Sequence, residues 1–457
     1  MSDVERLALR VLLPAFRGTT LPADGAELFA AGLGGVCLFG SNTADGPAAV
    51  ADLTASIRAV APDAVVAVDE EGGDVTRLHA RAGSPVLGPA ALGAADDLAL
   101  TRATGHWLGT ELAAAGIDLD LGPVADVNTN PANPVIGTRS FGADPGRAAA
   151  HVAAWVEGLQ AAGVAACAKH FPGHGDTAQD SHLEQPTVDA PLETLQAREL
   201  VPFAAAVRAG IAAVMTSHIV VPALDPVLPA TLSAPVLGLL RERLGYDGVI
   251  VSDALDMAGA CAGRGIPEAA VLSLAAGADL LCIGADKDAA LVREIQAAIV
   301  AAVRTGRLPE ERLREAVARI ARMPRGAGSP GVLDEAAQVA GARAATTVEG
   351  QLPDLRGAEV VSVATTANIA VGEVPWGLPP DRVVLPGQPV VADRPVILQV
   401  RDAHRHPGID VAGAAVVVEW GWPGPYDGPA PRICTRGCSR PGLAAVDELV
   451  RKAGWDR

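Results

Sequence analysis

The sequence predicts a (β/α)8 barrel followed by a smaller α/β domain. Three observations carry that prediction: eight short Val/Ile/Leu-rich runs alternate with Ala-rich helical stretches, polar residues gather at the C-terminal ends of those runs, and the texture changes after about residue 328. Runs that are apolar throughout are what strands buried on both faces of a parallel sheet require. The chain has 457 residues, too many for one ordinary domain. That length fits a barrel of about 250 residues or more with a second unit behind it. Hydrophobic residues make up 49% but aromatics only 3%, so Ala, Val and Leu must do most of the packing.

Taken in order, the expected barrel strands lie in 10–16, 35–40, 65–73, 117–127, 164–173, 212–221, 248–257 and 278–284. Helix candidates lie between them, such as 48–61, 98–116 and 146–163, each ending at a Gly or Pro. A doubly wound sheet predicts similar runs, but no glycine-rich phosphate fingerprint follows the first strand. Residues 1–328 are therefore read as the barrel and 329–457 as the second domain. The latter opens with a helix-like stretch at 333–348, continues through strands in 358–366, 382–386, 395–402 and 414–420, and closes with a helix at 439–454. Its connections are Pro-rich.

The formal net charge is −17, which argues against nucleic-acid and anionic-membrane partners. No charge-free apolar run approaches the ~20 residues of a membrane span. The N-terminal stretch starts acidic and lacks a secretory signal's basic region and cleavage site. A cytoplasmic, reducing location is expected. Most of the six cysteines sit in apolar runs as small hydrophobes, and no metal-ligand CxxC occurs. Cys434 and Cys438 are near enough in sequence to pair, although nothing requires it. Nothing indicates a cofactor, and the sequence does not specify an oligomeric state.

Four segments carry candidate chemistry. The first, residues 169–182, leaves a buried strand and turns polar at once, with Lys169, His170, His174, Asp176, Asp180 and His182. Its Pro-Gly-His-Gly stretch marks a loop over the barrel mouth. Asp180 and His182 stand two apart, so in extended chain they point the same way, and a carboxylate beside an imidazole suits a general acid/base. The same cluster is open to a metal reading through His170, His174 and Asp176. In the second segment, Asp253 follows an apolar strand directly, where it is either a helix cap or a nucleophile aimed into the cleft. The third, 68–78, places Asp69, Glu70 and Glu71 before two glycines and Arg77 after them. It is either a salt-bridged turn or a ligand for paired hydroxyls and amides. The fourth holds Arg139 among small residues, pointing to solvent or into the cleft.

Together these segments resemble glycoside hydrolase family 3, and within it the bacterial β-N-acetylglucosaminidase branch. The family pattern of lysine-histidine, an apolar residue, proline-glycine and a later Asp-Ser/Thr-His stands here as KHFPGHG and DSH. SDALDM matches its nucleophile motif, and DEEGGDVTRL, RSFG and KH match its sugar-binding elements. The resemblance implies a small-glycan substrate, released as terminal N-acetylglucosamine by a retaining, exo-acting hydrolysis. Asp253 would be the nucleophile, His182 the acid/base and Asp180 its partner. Asp69, Arg77, Arg139, Lys169 and His170 would bind the sugar. Two positions depart from the family: Glu70 stands where Gln is common, and Asp74 where Arg is common. Both are expected to add negative charge near the cleft. A phosphorylase variant, a β-glucosidase or β-xylosidase of the same family, a metal-dependent barrel hydrolase and a catalytically silent sugar-binding protein are the alternatives.

Overall fold

The computed structural model describes residues 1–179, 185–261, 263–365, 368 and 370–457. Eight parallel strands form the first unit: β1 (Leu12–Pro14), β2 (Gly35–Leu38), β3 (Val65–Val68), β4 (Leu119–Asp120), β5 (Ala165–Phe171), β6 (Ala213–Thr216), β7 (Val249–Ser252) and β8 (Leu280–Gly284). Their ladder runs β1-β8-β7-β6-β5-β4-β3-β2, and β1 lies back beside β2, so the sheet curls into a nearly closed barrel ringed by helices. All eight expected strands form. Each is buried along its length, as a continuous apolar run requires. The close approach of β2 to β3 depends on Gly35, because a Cβ there would stand 2.2 Å from the Val65 carbonyl oxygen.

The surrounding helices start where the sequence supplies caps. Asp97 accepts from the N–H groups of Ala99 and Leu100 ahead of Leu98–Ala114, and Asp144 accepts from Arg147 N–H ahead of Pro145–Ala161. Each such cap contributes about 1 kcal/mol. Their inner faces bury Leu108, Leu112, Trp155 and Leu159 against the barrel strands, and a fully buried side chain of this kind contributes about 1.5–3 kcal/mol. The expected strand at 117–127 is shorter than its apolar run. Pro123 interrupts it, and the chain rejoins the sheet through one bridge between Val124 and Lys169.

A second sheet follows, made of β9 (Thr347–Glu349), β10 (Glu359–Val363), β11 (Arg382–Val384), β12 (Val396–Val400), β13 (Val416–Glu419) and β14 (Arg432–Cys434), in the order β9-β14-β13-β12-β10-β11. It is parallel except for β9 against β14. Apolar clusters cover both faces, and the closing helix Arg440–Lys452 buries Val446 and Val450 on one of them. Helix Glu335–Ala345 touches both units. Its Gln338 accepts from Leu87 N–H at 2.9 Å and donates to Thr104 at 2.7 Å, while its Arg343 pairs with Glu448. All six cysteines, Cys434 and Cys438 included, are free thiols. Among the described residues no helix is long and apolar enough to cross a membrane.

Candidate active site

Asp69, Glu70 and Glu71 follow the end of β3, and the chain then reverses through Gly72 and Gly73, with φ of +72° and +57°. The turn closes where Glu71 N–H donates to the Val75 carbonyl at 3.0 Å. A side chain at Gly73 would also collide with the Gly88 backbone, 2.5 Å from its Cβ. The extended segment before the turn sends neighbouring side chains to opposite sides. Glu71 faces the barrel mouth, where Arg139 donates to it twice, Nε at 2.8 Å and Nη2 at 2.7 Å. Lys169 on β5 lies 2.6 Å from both Glu71 Oε1 and Asp69 Oδ1. Burial opposes the charged form of Glu71, but Arg139 and Lys169 outweigh it and hold the carboxyl well below its usual range. Burial likewise opposes the Lys169 ammonium, and Asp69 and Glu71 outweigh it and raise it above the ordinary lysine value. Glu71, Arg139 and Lys169 thus form a buried, charged network with Asp69 at its edge.

His170 is fixed from behind. Its Nδ1 lies 2.7 Å from Asp126 Oδ2, while Asp126 Oδ1 accepts from the N–H groups of His170 and His174. Burial works against the Asp126 anion, but His170 prevails and lowers its pKa. The ionised partner sets the imidazole proton on Nδ1. His174 is buried beside Thr177 Oγ1 at 2.9 Å, and burial lowers its pKa to about 4, so this ring is neutral near pH 7. Asp253 stands at the end of β7. Its Oδ1 accepts from Ala254 N–H at 2.8 Å, and its own N–H donates to Thr216 Oγ1 at 3.4 Å.

Six of the eight sequence-predicted site residues, Asp69, Arg77, Arg139, Lys169, His170 and Asp253, line one cavity of about 230 Å³. Asp180 and His182 lie outside the described residues. Arg77 also donates from Nη2 to the Ala370 carbonyl of the second domain at 2.7 Å, and Ala370 itself lines the cavity. Sequence reasoning allows the second domain to buttress the barrel or to cover one side of the cleft without choosing between them, and it does not separate Glu71 and Asp126 from their neighbours. Asp176, offered as a metal ligand, instead accepts from Thr129 at 2.9 Å and Arg198 at 2.6 Å. Among the described residues no three His, Cys, Asp or Glu side chains stand close enough to hold a metal ion.

The expectation that Glu70 and Asp74 add negative charge near the cleft is overturned. Glu70 points away from the cavity, accepts from the N–H groups of Arg77 and Leu78 at 2.8 and 3.0 Å, and donates its own N–H to Asp120 at 3.0 Å. Burial raises the pKa of both carboxyls, which favours their neutral forms. Asp74 is buried against Thr138, Arg401 and the Cys438 N–H, and Arg401 neutralises it.

A sequence profile of the glycosyl hydrolase family 3 N-terminal domain matches residues 21–323. The chain belongs to glycosyl hydrolase family 3. Of its sequence relatives, beta-hexosaminidase A of Pseudoalteromonas piscicida is 35% identical over 67% of this chain and 55% of its own length. The chain thus spans little more than half of that relative. The beta-hexosaminidase of Methylococcus capsulatus is 39% identical over 58% of this chain and 80% of its own. Of solved structures, the family 3 β-N-acetylglucosaminidase from Paenibacillus sp. str. FPU-7 superposes with a TM-score of 0.84 at 30% identity, over 99% of this chain and 97% of that one. The β-N-acetylhexosaminidase of Beutenbergia cavernae gives 0.61 at 31% identity, over 70% of this chain and 98% of that one. Some family 3 structures therefore match nearly the whole chain, and others only a stretch about the size of the barrel.

Proposed function

We propose that this family 3 glycoside hydrolase removes terminal β-linked N-acetylglucosamine with retention at the anomeric carbon. The observation that carries this reading is the single cavity in which Asp253 meets the Asp69, Glu71, Arg139, Lys169 and His170 cluster. At about 230 Å³ it lies below the usual range of about 300–1,000 Å³ for ligand pockets. That size suits one sugar ring and hence exo action. The acetamido preference is supported by the Asp180-Ser181-His182 element and by the names of the Pseudoalteromonas, Methylococcus and Paenibacillus relatives.

In this reading the Asp253 carboxylate attacks the anomeric carbon while protonated His182, oriented by Asp180, gives its proton to the departing glycosidic oxygen. The bond to the aglycone breaks and a glycosyl ester on Asp253 forms. Neutral His182 then takes a proton from water, whose oxygen attacks the same carbon and frees Asp253. An imidazole titrates near neutrality and can serve both steps. Lys169, His170, Arg77, Arg139 and Asp69 hold the ring hydroxyls and the amide. The charges of that cluster are fixed by one another before the sugar arrives, so the ring is held in place without the site having to reorganise.

The test is a parallel assay of 4-nitrophenyl β-N-acetylglucosaminide, β-glucoside and β-xyloside, with and without inorganic phosphate, following the anomer first released by NMR. Preferential cleavage of the N-acetylglucosaminide to the β-anomer is expected. Preference for glucoside or xyloside would refute the acetamido specificity. First release of the α-anomer would refute retention, and a sugar 1-phosphate product would replace hydrolysis with phosphorolysis.

A further inference from the structure

The second domain grips one wall of the cavity at several points. Asp74 sits at the tip of the turn that carries Glu71, with Oδ1 accepting from Arg401 Nη2 at 3.0 Å and from Cys438 N–H at 3.0 Å. Its Oδ2 accepts from Thr138 Oγ1 at 2.7 Å. Thr138 precedes Arg139 in one short helical turn, Gly137–Arg139. The two segments 71–75 and 137–139 are therefore tied twice. The inner tie is Glu71 with Arg139, both lining the cavity. The outer tie is Asp74 with Thr138, and it is closed by a guanidinium from the other domain. Arg401 also lies over the Trp376 ring, 5.7 Å from its centroid, on the same connection as Ala370, which receives Arg77. Farther along this wall, His404 Nε2 lies 2.7 Å from the Pro131 carbonyl oxygen, and Arg405 donates to the Pro134 carbonyl at 3.4 Å. These contacts converge on the stretches that bear Arg77, Glu71 and Arg139.

We propose that Arg401 is a positioning residue for the sugar-holding wall, acting through Asp74 and Thr138 on Glu71 and Arg139. The inference rests on reading the cavity as the sugar site. Arg401 stands where its charge neutralises Asp74 and fixes the carboxylate's direction. Without it, Asp74 would be a buried anion short of a counter-charge, and the outer tie would relax toward solvent. The inner pair would then lose its fixed spacing. A wall that binds sugar alike in ground and transition states affects KM more than kcat.

The experiment uses the full chain with Arg401→Met, Arg401→Lys, Asp74→Asn and the Arg401→Met/Asp74→Asn double variant. Steady-state kinetics on 4-nitrophenyl β-N-acetylglucosaminide are measured beside thermal unfolding of each. The expected result is a KM raised about tenfold in Arg401→Met and Asp74→Asn with kcat within about twofold. The double variant should be no worse than either single change, and Arg401→Lys should recover part of the loss. The milder Lys and Asn variants answer the question if Arg401→Met does not fold. KM within about twofold of wild type in folded variants, or kcat falling with the folded fraction while KM holds, would overturn the proposal. A wild-type chain that cleaves the glucoside or xyloside instead defeats the functional reading alone. The same variants, run on that substrate, then still decide the role of Arg401.

Discussion

In the barrel, β3 leads into Asp69 and Glu71, β5 carries Lys169 and β7 leads into Asp253, and all four side chains line one cavity. In the second sheet, β12 leads into Arg401 and β13 ends at Glu419, and these side chains hold chain segments in place. Arg401 pairs with Asp74, and Glu419 accepts three backbone N–H groups, from Asp402, Ala403 and Gly421, at 2.7, 3.0 and 2.7 Å. The barrel strands and the central strands β10, β12 and β13 of the second sheet are alike short, apolar and buried along their length, so strand chemistry does not distinguish them. The difference lies in what meets the polar groups beyond the strands. In the barrel, convergent strand ends leave a gap, and the charges pair across it. In the second sheet, the following loops fold back onto the strand ends and take up their hydrogen-bonding capacity.

Substitutions in either region test this contrast. The largest effect is expected from Asp253→Ala, which should lower kcat on the N-acetylglucosaminide by on the order of 10⁴-fold or more with the thermal transition little changed. A variant that kept turnover would remove Asp253 as the nucleophile. Next is His182→Ala, expected to slow substrates with poor leaving groups by about 10²–10⁴-fold and activated aryl glycosides far less. A Brønsted plot of rate against leaving-group pKa reads this, and equal losses across the series would count against His182 as the acid. Glu71→Ala leaves two buried cations without their shared anion, and should cost about 3–5 kcal/mol in chemical denaturation. A cost below ~1 kcal/mol would mean the network is far more solvated than its burial indicates.

The smallest effect belongs to the second sheet. Burial, with Asp402 adding to it, pushes the Glu419 carboxyl up to about 7 from an ordinary 4.5. The folded chain thus keeps a proton that the unfolded chain has lost between those values. This group's contribution is fully present below 4.5 and falls as the pH rises through 7, by up to about 1.4 kcal/mol per pH unit. In Glu419→Gln that decline should shrink by one proton's worth. Urea unfolding at pH 4.5, 6 and 7.5 measures it, and an identical slope in both proteins would place Glu419 ionised throughout.

The barrel strands were legible because a strand buried on both faces can only be apolar throughout. β9 and β14 were not. Thr347–Glu349 is exposed along its length, and its pairing with Arg432–Cys434 comes from tertiary neighbours rather than local pattern. The helix Asp3–Arg10 was missed although Ser2 and Glu5 form a capping box. In the site, Asp69, Lys169 and Asp253 could be read from their place at or near strand ends. Glu70 and Glu71 could not be told apart, since adjacent carboxylates are equivalent in a string of letters and become opposite only once the chain is extended beside Lys169. Asp74 read as an added cleft charge because its neutralising partner, Arg401, is far away in sequence.

Glu70 is held as an acceptor, by the N–H groups of Arg77 and Leu78. The amide of glutamine offers the same acceptor in the same volume. An acid or an amide oxygen can therefore meet those two donors, and the side chain does not line the cavity that its neighbours Asp69 and Glu71 enter. A difference there between two relatives is a poor guide to what either one cuts.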